Sequence, residues 1–185
     1  TCCGKKRLKT SWKNNMRTST DPVVDKVDEE DYTQVTFFPD FERFGMDGFD
    51  EDIVLLLKRR VYDLAGCTHS SLKVRLNGKL LPVKKFAELV DLYPTMGEEK
   101  KTASISKVND RWEVAVRVSN IGFQQVSFVN SISTSRGGNH VKYIQDQIVD
   151  KVVAAAKKKH KGVEIKAHMK NRLQIVTQSI GKLGV

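Results

Sequence analysis

The stretch over residues 123–143 reads FQQVSFVNSISTSRGGNHVKY. Residues 123–130 are rich in β-branched and aromatic side chains, which favour a strand. Residues 131–139 are polar and hold Gly137-Gly138, a composition typical of a tight turn. From about His140 to Lys159 apolar residues recur at helical spacing, which indicates a helix. The stretch therefore predicts a strand, a turn and a long helix in that order.

Two hairpins are expected before this unit. Asn77-Gly78 separates residues 72–76 from residues 80–83, and such a dipeptide is a strong signal for a two-residue turn. Asn109-Asp110 separates residues 102–107 from residues 111–118. In the second arm Trp112 and the valines that follow alternate with polar residues, so they share one face of a strand.

The remaining pattern predicts two helices and two further strands. Residues 53–64 are apolar at helical spacing after an acidic start, and Gly66 is expected to end that helix. Residues 84–91 fit a short helix, residues 33–38 a strand, and residues 163–166 and 173–176 weak strands. The order is β-α-β-β-α-β-β-β-α-β, which predicts an α/β sandwich with a mixed sheet.

Composition limits the class of protein. Of the 185 residues 39% are hydrophobic and 29% are charged, as in ordinary globular proteins. No apolar run approaches the roughly 20 residues of a membrane helix, so we expect no membrane partner. The first residues are polar and basic and form no signal peptide. Because the chain starts at Thr1, we expect a fragment of a longer protein.

The three cysteines predict neither a metal site nor a disulfide framework. Two of them are adjacent, no Cys-x-x-Cys motif is present, and the four histidines lack ligand spacing. This cysteine usage favours a reducing compartment.

Charge is unevenly distributed along the chain. The net charge is +10, made up of +6 over residues 1–20, −8 over 21–66, +5 over 67–140 and +7 over 141–185. Positive potential at both ends favours an anionic polymer as partner, although a solvated basic face without a partner gives the same count.

A compact basic run follows the long predicted helix. It consists of four lysines, Lys157, Lys158, Lys159 and Lys161. Cations at a helix C-terminus are stabilised by the dipole by about 0.3–1 kcal/mol each, which is one explanation. The basic zone continues through Lys166, Lys170 and Arg172, which favours contacts with nucleic-acid phosphates instead.

No motif for catalysis is present. The Gly137-Gly138 turn could present a helix N-terminus to a phosphate, but it lacks the glycine-rich nucleotide-binding patterns, and a tight turn explains it better. No nucleophile motif frames the Ser, His and Asp residues. The residues alone indicate a basic, non-catalytic α/β module that touches nucleic acid.

Residues 123–143 also resemble the signature of the transducer, the second subdomain of the ATPase region, in eukaryotic type II DNA topoisomerases, with plant members the most similar. Further blocks match the same family in the same order. They are RRVYDLAG at 59–66, NGKLLPV at 77–83, VDLY at 90–93 and NDRWEV at 109–114. The resemblance runs from about Gly4 to Leu173, and QIVTQSIGKLGV at 174–185 departs from it.

The resemblance implies a ribosomal protein S5 domain 2-like two-layer sandwich with a mixed sheet and a left-handed crossover. It also implies three segments. Residues 1–31 would be the exit segment of an upstream ATP-binding subdomain, residues 32–173 the transducer, and residues 174–185 a tail outside the family pattern.

The resemblance implies the function as well. The whole enzyme would hydrolyse ATP with Mg2+, form a homodimer and pass one DNA duplex through another in the nucleus, and the transducer would relay the nucleotide state to the cleavage core. The family's DNA-facing loop carries over onto Lys157, Lys158, Lys159 and Lys161. This chain alone is expected to have no catalytic residue and to bind no cofactor or metal. The alternatives are a stand-alone nucleic-acid-binding module and an inert truncated product.

Overall fold

The computed structural model describes residues 1–93, 103–159 and 169–179. The chain divides into two compact units, Thr1–Glu51 and Asp52–Val185. The predicted loop at 94–101 and the predicted strand at 163–166 lie outside the described residues. The division between the units falls twenty residues after the boundary that the sequence suggested at residue 31.

The first unit is built from short antiparallel strands. They are β1 (Cys2–Cys3), β2 (Lys6–Lys9), β3 (Trp12–Lys13), β4 (Thr18–Ser19) and β5 (Val23–Lys26). β1, β2 and β5 form one sheet, and β3 pairs with β4 across a turn at Asn14, Asn15 and Met16, all with positive φ. A 3-10 helix follows at Glu42–Phe44.

The strand predicted at residues 33–38 does not form. Its large side chains are exposed, Phe38 by 92%, and only the preceding Tyr32 makes a β-bridge, to Cys2. This prediction was wrong because β propensity reflects packing in a sheet, and no described strand pairs with this segment.

The second unit contains three helices and seven strands among its described residues. They are α1 (Glu51–Cys67), β6 (Arg75–Leu76), β7 (Lys79–Leu80), α2 (Phe86–Asp91), β8 (Ser104–Asn109), β9 (Trp112–Val118), β10 (Gln124–Val129), β11 (Ile132–Ser133), α3 (Asn139–Lys159) and β12 (Leu173–Ser179). Both predicted hairpins form, β6 with β7 and β8 with β9. The predicted strand–turn–helix unit is β10 to α3.

Five strands form the central sheet in the order β11-β10-β12-β9-β8. β12 runs parallel to β10 and antiparallel to β9, so the predicted mixed sheet is confirmed. The hand of the β10–α3–β12 connection stays a prediction. β12 lies in the middle of the sheet and continues to Ser179, so residues 174–179 of the predicted tail form part of the sheet.

Helices cover both faces of this sheet. On one face α3 packs through Val149 and Val153 against Val114 and Ile175. On the other, α2 packs through Phe86 and Val90 against Ala115 and Val176, and the end of α1 packs around Phe128. Neighbouring residues of β9 and of β12 therefore enter opposite cores, as the pleat requires.

Packing against neighbouring elements decides which helix residues are buried. Gly66 does not end α1 but lies within it, where a Cβ atom would sit 2.4 Å from Leu89 Cβ of α2. Along α3, Val149 and Val153 are buried against the sheet, whereas Val152 is exposed. The tertiary contacts of α1 and α3, rather than the helical spacing of apolar residues alone, therefore decide which of their residues are buried.

Candidate nucleic-acid interface

The predicted DNA-contacting lysines begin on the last turn of α3. Lys157 and Lys158 are exposed, Lys159 is the final helical residue, and Lys161 lies outside the described residues. At a helix C-terminus the carbonyl groups carry partial negative charge, which stabilises nearby cations. The exposed positions also leave the ammonium groups accessible to a phosphate, so the geometry is compatible with both interpretations.

Lys170 takes part in a contact between the start of β12 and α3. Its Nζ lies 2.6 Å from Asp146 Oδ1 of α3, and its carbonyl oxygen accepts a hydrogen bond from Gln145 Nε2 at 3.3 Å. These bonds fasten the chain entering β12 to the side of α3. The ion pair offsets part of the Lys170 charge, and the place of Lys170 in the basic zone stays a prediction.

The Gly137-Gly138 turn is filled by side chains of the protein. Both glycines have positive φ, and Cβ atoms there would lie 3.7 Å from the Gln125 amide and 3.0 Å from His140 Nδ1. Gln125 Nε2 donates to the carbonyl of Ser135 at 2.8 Å. The turn therefore closes on its own neighbours, as expected for a tight strand-to-helix turn.

A hydrogen-bonded polar cluster supports this turn. Ser127 Oγ lies 2.5 Å from Thr134 Oγ1 and donates to Gln125 Oε1 at 2.7 Å. Thr134 Oγ1 lies 3.3 Å from His140 Nε2, which is the second residue of α3. The polar residues of the 123–143 stretch thus fix the angle at which β10 passes into α3.

A second polar cluster surrounds Asp63, which is 1% exposed in α1. Its carboxylate accepts hydrogen bonds from Tyr93 Oη at 2.5 Å and from Arg60 Nη1 at 3.0 Å. Arg60 Nη2 also donates to the carbonyl of Ser131 at 3.3 Å. Burial together with the Asp63 carboxylate raises the pKa of Tyr93 to about 12.

The sequence did not single out this cluster. Beside it in α1, Lys58 and Arg59 are exposed, whereas Arg60 is half-buried. Arg59 Nε also donates to Tyr93 Oη at 3.2 Å, and its guanidinium lies 5.2 Å from the centre of the tyrosine ring. The available signal was the acid at Asp63, three residues after an arginine, inside an otherwise apolar stretch.

Arg117 holds the end of α2 against the sheet. Its guanidinium donates to the carbonyl oxygens of Tyr93 and Val90 at 2.9 and 3.2 Å and pairs with Asp91 at 3.2 Å. Since cations stabilise the last carbonyl groups of a helix, this contact both caps α2 and fixes the position of Tyr93.

Across residues 1–93, 103–159 and 169–179, no three His, Cys, Asp or Glu side chains come together in a way that would hold a metal ion. None of the helices found there combines the length and apolar character needed to cross a membrane.

Comparison with known proteins defines the class. Residues 83–178, which span the sheet, α3 and the polar turn, match the family model of DNA gyrase B. The chain therefore belongs to the DNA gyrase B family.

The similar proteins described next are eukaryotic type II DNA topoisomerases. DNA topoisomerase 2 of Arabidopsis thaliana is 45% identical over 182 residues, which are 95% of this chain and 12% of the relative. The crystal structure of the ATPase region of Saccharomyces cerevisiae topoisomerase II matches 95% of this chain and 44% of its own, with a TM-score of 0.81 and 41% identity.

A further similar structure contains the ATPase and transducer domains of DNA topoisomerase II from Balamuthia mandrillaris. It matches 95% of this chain and 45% of its own, with a TM-score of 0.82 and 33% identity. The fold is thus that of the type II topoisomerase ATPase and transducer region, the S5 domain 2-like α/β fold that the sequence predicted. The chain spans about an eighth of the length of the curated relatives it matches.

Proposed function

We propose that this chain is the transducer segment of an ATP-hydrolysing type II DNA topoisomerase and relays the nucleotide state to the DNA cleavage core. The observation that carries the proposal is the match of 95% of the chain to the yeast ATPase region at 41% identity. The central position of β12, which places the last residues of the family match in the middle of the sheet, supports it.

Within that enzyme the chain would divide as the sequence suggests. Residues 1–31 would be the exit segment of the ATP-binding subdomain and residues 32–173 the transducer, whose last strand continues into the 174–185 tail as far as Ser179. The short antiparallel strands of the first unit fit an exit segment because they form a small sheet of their own.

ATP and Mg2+ would be used by the whole enzyme, which would act as a nuclear homodimer, and this chain would hold neither. The Gly137-Gly138 turn before α3 leaves little room for a phosphate, because the Gln125 and His140 side chains lie against it. We expect no ATP hydrolysis and no DNA relaxation by the purified chain. Measurable turnover above that of a mock purification would contradict this assignment.

The partner of this segment would be duplex DNA, contacted by Lys157, Lys158, Lys159 and Lys161. Two of these lysines project from the exposed last turn of α3, and none of the ion pairs among the described residues involves either one. Each lysine–phosphate contact releases counterions, so four contacts contribute about 3.6 to the slope of log affinity against log salt.

The test compares two variants of equal charge. One replaces the four lysines of the run by Ala. The matched control replaces four other exposed lysines by Ala: Lys73, Lys79, Lys142 and Lys151. Fluorescence anisotropy with a labelled duplex at a series of salt concentrations measures both slopes. We expect the slope to fall by about 3.6 only in the first variant. Equal slopes in the two variants would assign the run to helix capping.

A further inference from the structure

The outer edge of β8 is open in the described part of the second unit. β8 ends the sheet order, and β9 is its one strand neighbour among the described residues. All six of its residues are exposed. An edge strand presents a row of backbone N–H and C=O groups that can pair with another extended chain.

Side chains of β8 point alternately to the two faces of the sheet, one covered by α2 and the other by α3. Lys107 stands opposite Glu113 and lies on the face that carries α2, whereas Ser106 stands opposite Val114 and lies on the face that carries α3. Because side chains alternate along a strand, a chain added at β8 would present alternate residues to these two faces.

The face on the α2 side is basic. A cavity of about 420 Å³ opens there between α2, the end of α1 and the β8–β9 hairpin. Its basic lining residues are His69, Lys84, Lys85, Lys107 and Arg111. Of its two acids, Asp110 pairs with Lys107 at 2.9 Å and Glu113 accepts from Gln178. The backbone N–H groups of Lys84 and Lys85 donate to Glu88 Oε2 at 2.6 and 3.2 Å. Their exposed ammonium groups take part in none of the ion pairs among the described residues, so they carry positive charge at the cavity that a partner's carboxylates can meet.

The face on the α3 side is apolar. A cavity of about 570 Å³ lies between β8, β9 and the flank of α3. Its large side chains are Trp112, Val114, Val116, Tyr143, Ile144 and Ile148. Tyr143 lines this cavity but is 67% exposed. Apolar side chains of a partner placed here would cover its ring, and burial of apolar surface favours binding.

We propose that the β8 edge binds an extended segment of a partner protein in which acidic and apolar residues alternate. The segment pairs with β8 as a sixth strand. Its acidic side chains meet Lys84 and Lys85 on one face, and its apolar side chains cover Tyr143 and Trp112 on the other. Main-chain pairing supplies affinity, and the two unlike faces supply specificity. This surface shares no residue with the lysine run of α3.

The probe is a fluorescein-labelled peptide of four Val-Glu repeats, added to the full 185-residue chain. Two control peptides separate the effect of negative charge from the effect of alternation. Four Val-Lys repeats reverse the charge, and four valines followed by four glutamates keep the composition but remove the alternation. We expect the alternating acidic peptide to bind at least about tenfold more tightly than either control. Hydrogen exchange is expected to show protection of the β8 amides when that peptide binds.

Variants locate the site. The double variant Lys84→Glu, Lys85→Glu is expected to bind the acidic peptide at least about tenfold more weakly than the wild-type chain. The double variant Lys73→Glu, Lys79→Glu makes the same charge change outside the cavity, and its affinity for the peptide is expected to stay within about twofold of the wild-type value. Tyr143→Ser is expected to weaken binding, while Ile132→Ser, at a similarly exposed position, does not.

Three results would overturn the proposal. One is the absence of binding at about 1 mM peptide, and another is equal binding of the alternating and the block peptide. The third is displacement of the peptide by duplex DNA whose own binding is lost in the Lys84→Glu, Lys85→Glu variant, which would assign the basic cavity to nucleic acid.

Discussion

The carboxylate of Asp63 in α1 accepts a hydrogen bond of 2.5 Å from the hydroxyl of Tyr93, which lies 30 residues away after α2. The same carboxylate pairs with Arg60, whose guanidinium reaches the Ser131 carbonyl between β10 and β11. One buried acid therefore joins α1, the end of α2 and the turn of the 123–143 stretch.

Replacement of this acid is expected to destabilise the second unit. Asp63→Ala leaves the Arg60 guanidinium and the Tyr93 hydroxyl without their acceptor in a largely buried site, so we expect a loss of about 3 kcal/mol in the free energy of unfolding. Urea denaturation followed by circular dichroism measures this loss. The control is Asp110→Ala, whose ion pair with Lys107 is exposed to water, so we expect this variant to keep nearly the stability of the wild-type chain. Similar stability of the two variants would show that the cluster does not hold the unit together.

The raised pKa of Tyr93 predicts a loss of stability in alkaline solution. The pKa is about 12 in the folded chain, against an ordinary value of 10.0. Between these values the folded state keeps a proton that the unfolded state has released, so stability is present below pH 10 and falls as the pH rises towards 12. Cys67 acts in the same direction, because burial raises the pKa of its thiol from 9.0 to about 12.

Denaturation curves at pH 9 and pH 11.5 test this sign. The Tyr93→Phe variant is expected to lose less stability than the wild-type chain over that interval, since its ring cannot ionise. An equal or larger loss in the variant would contradict the assignment of the alkaline effect to Tyr93.

Gly66 is expected to tolerate no side chain. In Gly66→Ala the new Cβ would meet Leu89 Cβ at 2.4 Å and Leu89 Cδ2 at 2.8 Å, so α1 and α2 would have to separate. Overpacking of this kind costs about 1–3 kcal/mol, and the gain of about 1 kcal/mol that Ala brings to a helix offsets only part of it. We expect a lower melting temperature for this variant. Gly48→Ala, where no atom lies within 4 Å of the added Cβ, serves as the control. A melting temperature of Gly66→Ala equal to that of the control would show that the helices have room to adjust.

Local sequence signals predicted the hairpins and the long helix. Asn77-Gly78 and Asn109-Asp110 mark the turns of β6–β7 and β8–β9, because turn chemistry is set by neighbouring residues. The start of α1 at Glu51 and the entry of His140 into α3 follow from equally local features.

Features that depend on distant residues were missed or misjudged. Gly66 is a site of helix contact rather than a helix end because Leu89 crosses it, and residues 33–38 form no strand because no described strand pairs with them. The burial of Asp63 depends on Tyr93 and Arg60 meeting it in the folded chain. The lysine run illustrates the same limit, since its position at the end of α3 was predicted but its role depends on a partner.

The size of the native product tests the central proposal most directly. An antibody raised against residues 123–143 detects the protein on a denaturing immunoblot of the source cells, with the free peptide as competitor. Because the match covers 12% of the Arabidopsis relative, the account predicts a competed band about eight times the 20.9 kDa of this chain. Immunoprecipitates are then expected to relax supercoiled DNA only with ATP. A single competed band near 20.9 kDa, with no relaxation activity, would contradict the account and favour a stand-alone binding module or an inert truncated product.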